Sequence, residues 1–119
     1  MKITVNDCYE LEGDYQNQFL GIEVFPKPKY KKLKKAERSV NNVHYDNVYI
    51  LEPRHYYYVI FNEDISQEDC FIRPNMALFQ NGLLFSFSIL ESRMYLFNAS
   101  QNIIYLQKGV SVGEVIFNG

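Results

Sequence analysis

Nearly every apolar run in this chain is four to eight residues long and stops at a glycine, a proline, an asparagine or an acidic cluster. Runs that short do not make helices of ordinary length. The residues in them suit a pleated surface instead: ten tyrosines, nine phenylalanines, no tryptophan, and frequent valine and isoleucine. The pattern predicts an all-β domain with at most one short helix. A length of 119 residues has room for one domain and little for two, so 1–119 is read as a single unit.

Other classes are excluded on composition. No apolar run approaches the roughly 20 residues of a membrane-spanning helix, and the opening Met1-Lys2-Ile3-Thr4-Val5-Asn6-Asp7 has no signal-peptide core. The expectation is a soluble, cytoplasmic protein, or a virion component if the source is viral, with no membrane partner. Cys8 and Cys70 are too few and too far apart for a zinc framework or a disulfide scaffold. Twelve Lys and Arg against fourteen Asp and Glu give a net charge of −2, which disfavours a general nucleic-acid binder. That balance hides one uneven segment. Between Lys27 and Arg38 seven bases (Lys27, Lys29, Lys31, Lys32, Lys34, Lys35, Arg38) meet one acid, so this stretch carries +6 and the remainder −8.

Along the chain, Lys2 to Val5 reads as a first strand, followed by a polar loop through Asp14. Gln18 to Phe25 alternates and reads as a second strand, closed by Pro26 and Pro28. Residues 26–42 then form a basic loop insertion. Asn47–Leu51 and His55–Asn62, joined by Glu52-Pro53-Arg54, look like a hairpin. An acidic loop leads to Cys70–Arg73, stopped by Pro74, and Asn75 to Gln80 fits a single helical turn before Asn81-Gly82. Four strands follow at about ten-residue spacing, 83–90, 93–97, 102–106 and 111–117, which indicates a sandwich or barrel.

Several of these segments carry a likeness. Asn47-Val48-Tyr49-Ile50-Leu51-Glu52-Pro53, then Ile72-Arg73-Pro74-Asn75-Met76-Ala77-Leu78 with Gly82-Leu83, then Tyr95-Leu96-Phe97-Asn98-Ala99-Ser100, then Ile103 to Phe117 with Lys108-Gly109 and Val112-Gly113-Glu114-Val115, follow one another in a particular order. In that order they resemble the trimeric dUTPase and dCTP deaminase superfamily. There an "L-x-P-G" turn precedes a strand, an Arg-Ser-Ser-Leu-Ala-type motif follows, and the chain ends in "L-F-N" and "L-x-x-G-x-x-I-G-Q-L-V-F" segments. The likeness covers residues 47 to 117 and is most specific from Asn98 to Phe117. It implies a jelly-roll-like or β-clip barrel of the dUTPase type and a homotrimer with clefts between subunits.

The resemblance places Arg73 where the motif arginine contacts substrate phosphate, as suits a guanidinium fork. With Asn75 and Gln80 it makes the candidate ligand-binding set. The departures bear on activity. Pro74 and Asn75 stand where the motif serines would be. Tyr95 stands in place of the deaminase general base, and the dUTPase aspartate would fall near Phe85. A phenylalanine takes no proton, and a tyrosine with a pKa of about 10 is a poor base at neutral pH. The nucleoside hairpin is replaced by Leu83 to Glu91, and the Gly-rich C-terminal arm is absent from the sequence, which stops at Gly119. The resemblance thus implies a protein that does not run the family's hydrolysis or deamination. No cofactor is expected, and Mg²⁺ only in company with a bound nucleotide.

Other candidates have plainer readings beside them. Glu91, the one carboxylate near the altered hairpin, is a weak candidate for a displaced base and more often would be a solvated turn residue. His44 and His55 lack Cys or His neighbours at the short spacing of metal ligands, and Cys70 has no adjacent base. The lysine run has three readings: tracking phosphates of a nucleic acid or other anion with Tyr30 stacking, complementing an acidic neighbouring subunit, or a solvated loop, the last being the default. Tyr56-Tyr57-Tyr58 fits an alternation between core and subunit interface. Strands apolar on both faces, such as Leu83–Phe87 and Val115–Phe117, suggest cover by a second subunit. The sequence therefore points to a non-catalytic, oligomeric binding or structural component, possessing a nucleotide-phosphate site at Arg73 in its first form. A virion decoration or inhibitor protein without a small-molecule site is the alternative, and a divergent nucleotide hydrolase using Glu91 the third.

Overall fold

The computed structural model describes residues 1–13, 15–20, 29–65, 70–88 and 93–117. Within them the chain runs β1 (Lys2–Glu12), α1 (Tyr15–Phe19), β2 (Lys29–Lys32), β3 (Ala36–Val40), β4 (Val43–Leu51), β5 (Tyr56–Phe61), β6 (Cys70–Pro74), α2 (Met76–Gln80), β7 (Leu83–Ser88), β8 (Arg93–Asn98), β9 (Ile104–Gln107) and β10 (Ser111–Phe117). The fold is all-β and barrel-like. One antiparallel sheet has the order β6-β10-β1-β5-β8-β7, with β2 added to β1, and a second has the order β3-β4-β9.

β1 spans the length that the sequence divides into a strand and a polar loop. The reason is a bulge. Val5 pairs with Phe61 and Asp7 with Ile60, so Asn6 is an extra residue and the buried positions step from Ile3 and Val5 to Cys8. Alternation fails there although the strand does not. A second irregularity, between Ile3 and Thr4, marks where β10 pairs with β1.

The core fills the space between the two sheets. Ile3, Val5 and Cys8 of β1, Tyr57, Val59 and Phe61 of β5, Met94 and Leu96 of β8 and Val112 and Val115 of β10 cluster with Tyr49 and Leu51 of β4 and Ile104 and Leu106 of β9. Each such side chain contributes about 1.5–3 kcal/mol on burial. The outer face of the large sheet is apolar too, and its own aromatics cover part of it. Tyr9, Tyr58 and Tyr95 lie in register across β1, β5 and β8, Tyr9 stacks on Tyr58 at 4.8 Å, and Tyr30 of β2 meets Tyr58 edge-on at 4.9 Å. Next to them Tyr56 stacks on Phe97 at 4.3 Å and receives Tyr15 and Phe19 of α1. Tyr56 and Tyr58 thus belong to the outer face and Tyr57 to the core, the alternation read from the sequence.

Three expectations are corrected. Two short helices are present rather than one at most, since Tyr15–Phe19 coils where the second strand was expected to begin; residues 21–25 of that strand lie outside the described residues. The aromatic face offers Tyr15 and Phe19 a docking surface, and a helical turn presents both to it. Asn47–Leu51 and His55–Asn62 do not pair: β4 belongs to the small sheet and β5 to the large one. Arg54, at φ 64, turns a corner between the layers, its N–H donating to the Asn98 carbonyl at 2.7 Å. Finally, the basic segment is not a loop over residues 29–32 and 36–40, which are β2 and β3. Tyr30 and Leu33 give it apolar anchors, and β1 and β4 supply open edges.

Candidate anion-binding cleft

The sequence-predicted ligand set does not converge on one point. Arg73 is on β6, opposite Glu114 of β10, and its guanidinium lies 3.4 Å from the Glu114 carboxylate. Asn75 caps α2: its side-chain oxygen accepts from the N–H groups of Ala77 and Leu78, and its amide donates to the Ser111 carbonyl at 2.9 Å. Gln80 is exposed at the far end of the helix. Phe85 packs against the core and Tyr95 is on the outer aromatic face, so neither position offers a carboxylate. Glu91 and Lys27 lie outside the described residues.

The lysine run, in contrast, is drawn together. Lys29 and Lys31 pair in register with Glu12 and Glu10 across β1 and β2, and Arg38 is on β3 opposite Tyr45. Lys32, Lys34 and Lys35 turn instead toward a cleft of about 480 Å³, whose wall also includes Asn6, Asp7, Leu33, Tyr49 and Lys108. Three features of the backbone build it. The β1 bulge pushes Asn6 and Asp7 outward. The chain leaving β2 is pinned where the Leu33 N–H donates to the Cys8 carbonyl at 3.0 Å. The turn between β9 and β10 is pinned where Lys108 N–H donates to the Asn47 carbonyl and Gly109 N–H to the Val5 carbonyl, with Gly109 at φ 85.

The electrostatics of this cleft are one-sided. Four lysines and a single carboxylate, that of Asp7, belong to its wall. Asp7 is held by donors on each oxygen: Oδ1 accepts from the Cys8 N–H at 2.9 Å and from the Tyr49 hydroxyl at 3.2 Å, and Oδ2 is 3.1 Å from Lys32 Nζ. The hydrogen bond and the charge of Asp7 both raise the Lys32 pKa above its ordinary value. Burial, and next the Asp7 charge, push the Tyr49 phenol up. Lys34, Lys35 and Lys108 make no ion pair among the described residues. Solvated ammonium groups gathered around a concavity can bind a multivalent anion, and what they meet best is a phosphate group.

Sequence reading found the three lysines of the run but not Asp7, Tyr49 or Lys108. Lys108-Gly109 was visible as a turn, yet only the pairing of β4 with β9 brings that turn beside β1. Two other concavities differ in character. One of about 270 Å³ is bounded by Glu10, Glu12, Arg54, His55 and the Tyr15 and Tyr56 rings, with His55 Nδ1 bonded to the Glu10 carboxylate. The other, about 420 Å³, is an apolar groove along β9 beneath Leu78 of α2. No family model matches this chain, and no curated protein matches it. No helix among the described residues is long and apolar enough to cross a membrane.

Proposed function

We propose that this chain is a non-catalytic, dUTPase-like binding protein, assembling as a homotrimer, that recognises the phosphate groups of a nucleotide in the lysine-lined cleft. One observation carries the reading: Lys32, Lys34, Lys35 and Lys108 converge on a concavity holding a single carboxylate. Support for the dUTPase-like kinship is that the segments of likeness between residues 47 and 117 fall on successive strands from β4 to β10, with Asn75 at the start of the expected helical turn. The phosphate site of this proposal lies in the cleft rather than at Arg73, whose fork already faces Glu114.

The test is a thermal-shift and calorimetric screen against inorganic triphosphate, dUTP, dCTP and cyclic dinucleotides. A ligand at a hundred times its dissociation constant adds about 2.7 kcal/mol to stability. Stabilisation by a phosphorylated compound, lost in Lys34→Glu/Lys35→Glu and in Lys108→Glu but kept in Arg73→Ala, is the expected result. Absence of any shift up to millimolar ligand, or a shift indifferent to the lysine variants, overturns it. A structural or protein-binding role is favoured by a different observation, the exposed Phe71, Met76, Phe79 and Phe117 side chains, and a negative screen moves the search to those surfaces.

A further inference from the structure

The β3–β4 hairpin carries a second group of side chains that the cleft does not use. It turns at Asn41 and Asn42, with φ of 51 and 65, a type I′ pattern in which Val40 faces Val43 and Ser39 faces His44. Farther along, two residues of β4, Asp46 and Asn47, lie against one of β3, Glu37, because Ala36 pairs with Val48 and Arg38 with Tyr45. Asn47 absorbs this bulge at φ 56. Steps of two along each strand then place Glu37, Ser39, His44 and Asp46 on one face, with ligand atoms of Glu37, His44 and Asp46 all within 4.8 Å of one another.

We propose that this face is a binding site for a divalent transition-metal cation of the zinc class, with the His44 imidazole and the Glu37 and Asp46 carboxylates as its ligands. The donor set decides the class of ion. An imidazole nitrogen with two carboxylate oxygens suits zinc and its neighbours, whereas calcium and magnesium take oxygen alone. The spacing is close to that of a bound set, because ligands about 2.0–2.2 Å from one ion stand roughly 3.5 Å apart in a tetrahedron. The three side chains are exposed, so rotation about their own bonds closes the difference. Ser39 Oγ lies 3.3 Å from His44 Nδ1 and Asp46 Oδ1 lies 2.9 Å from Nε2. The ring is thereby steered by Nδ1 while Nε2 faces the Asp46 carboxylate, an arrangement that orients metal-bound histidines. A cation also removes an unfavourable feature. Glu37 and Asp46 are like charges brought together across a strand pair, and no Lys or Arg ion pair relieves them among the described residues. Three protein ligands on an open hairpin leave a coordination position for water or for a donor from a second molecule.

The chain has two histidines, His44 and His55, which makes the test direct. Zinc chloride is titrated into the purified protein at constant pH, following the ring signals of both histidines by NMR and the heat of binding by calorimetry. Saturable one-to-one binding that moves the His44 signals and leaves those of His55 in place is expected. Affinity should fall about tenfold or more in His44→Ala and in Glu37→Gln/Asp46→Asn, stay unchanged in His55→Ala, and not be matched by magnesium or calcium. No saturation at millimolar zinc, binding retained in His44→Ala, or movement of His55 instead overturns the proposal. Should a variant fail to fold, the ring signals of the unmodified protein still decide. The site shares no residue with the lysine cleft, so the failure of either leaves the other standing.

Discussion

Among the described residues Asn98 is the one buried polar side chain, and all of its hydrogen-bonding capacity is used. Its amide donates to the carbonyls of Leu51 and Asn102 at 3.0 and 2.9 Å, and its side-chain oxygen accepts from the Ser100 N–H and hydroxyl. Its backbone meets Arg54 and His55. One side chain therefore ties the end of β4 to the end of β8 and to the turn before β9, across the seam between the two sheets. Replacing it with leucine takes the amide donor from the buried Leu51 carbonyl and the acceptor from the Ser100 N–H and hydroxyl, a cost of about 2–4 kcal/mol. Urea unfolding of Asn98→Leu should show a lower midpoint at an unchanged slope. A loss below about 0.5 kcal/mol would assign the seam to packing alone. The sequence marks this asparagine only as part of an "L-F-N" likeness; that it is a structural clamp follows from the three segments that converge on it, which no local pattern reveals.

Strands were legible wherever an apolar run is closed at each end by turn residues. β5 and β7 to β10 fall close to the expected segments, and the helical turn after Pro74 is α2, because Asn75 is a capping residue in sequence as in space. The elements that escaped are those where one residue breaks the period or where charge hides a pairing edge. Asn6 does the first in β1, and the lysines of β2 and the Glu37-Arg38 pair of β3 do the second. Gly113 belongs to a third kind, a small residue inside a strand that signals a close approach without saying to what. It pairs with Ile3 on one side and Pro74 on the other, and a methyl group placed on it would stand 2.8 Å from the Arg73 carbonyl oxygen and 3.3 Å from Ile72. Backbone cannot yield as a flexible side chain does, so β6 must shift off β10. Gly113→Ala should cost about 1–3 kcal/mol, measured as a fall in denaturant midpoint. Unchanged stability would show β6 to be loosely seated.

At the scale of the whole molecule, the two layers enclose ionisable groups that composition treats as surface. Burial pushes the Cys8 thiol up, and the phenols of Tyr49 and Tyr57 with it. For Cys8 and Tyr49 the nearby carboxylate of Asp7 acts in the same direction. In the unfolded chain these groups return to ordinary values of 9.0 for the thiol and 10.0 for the phenols. Above those values the unfolded state has released protons that the folded state still holds, so stability falls as pH rises. Below pH 9 all three are protonated in both states and contribute no slope. These three groups therefore add no slope through neutral pH, begin to lower the denaturant midpoint past pH 9 as the thiol titrates, and lower it more steeply past pH 10 as the two phenols join. Tyrosinate absorbance provides an independent reading on the same samples. Of the ten tyrosines, Tyr49 and Tyr57 should ionise only together with unfolding. Tyr49→Phe, which also frees Asp7 of one donor in the lysine cleft, should flatten the alkaline slope. A midpoint level to pH 11, or tyrosines that all titrate before the fold is lost, would mean that water reaches the interface between the sheets.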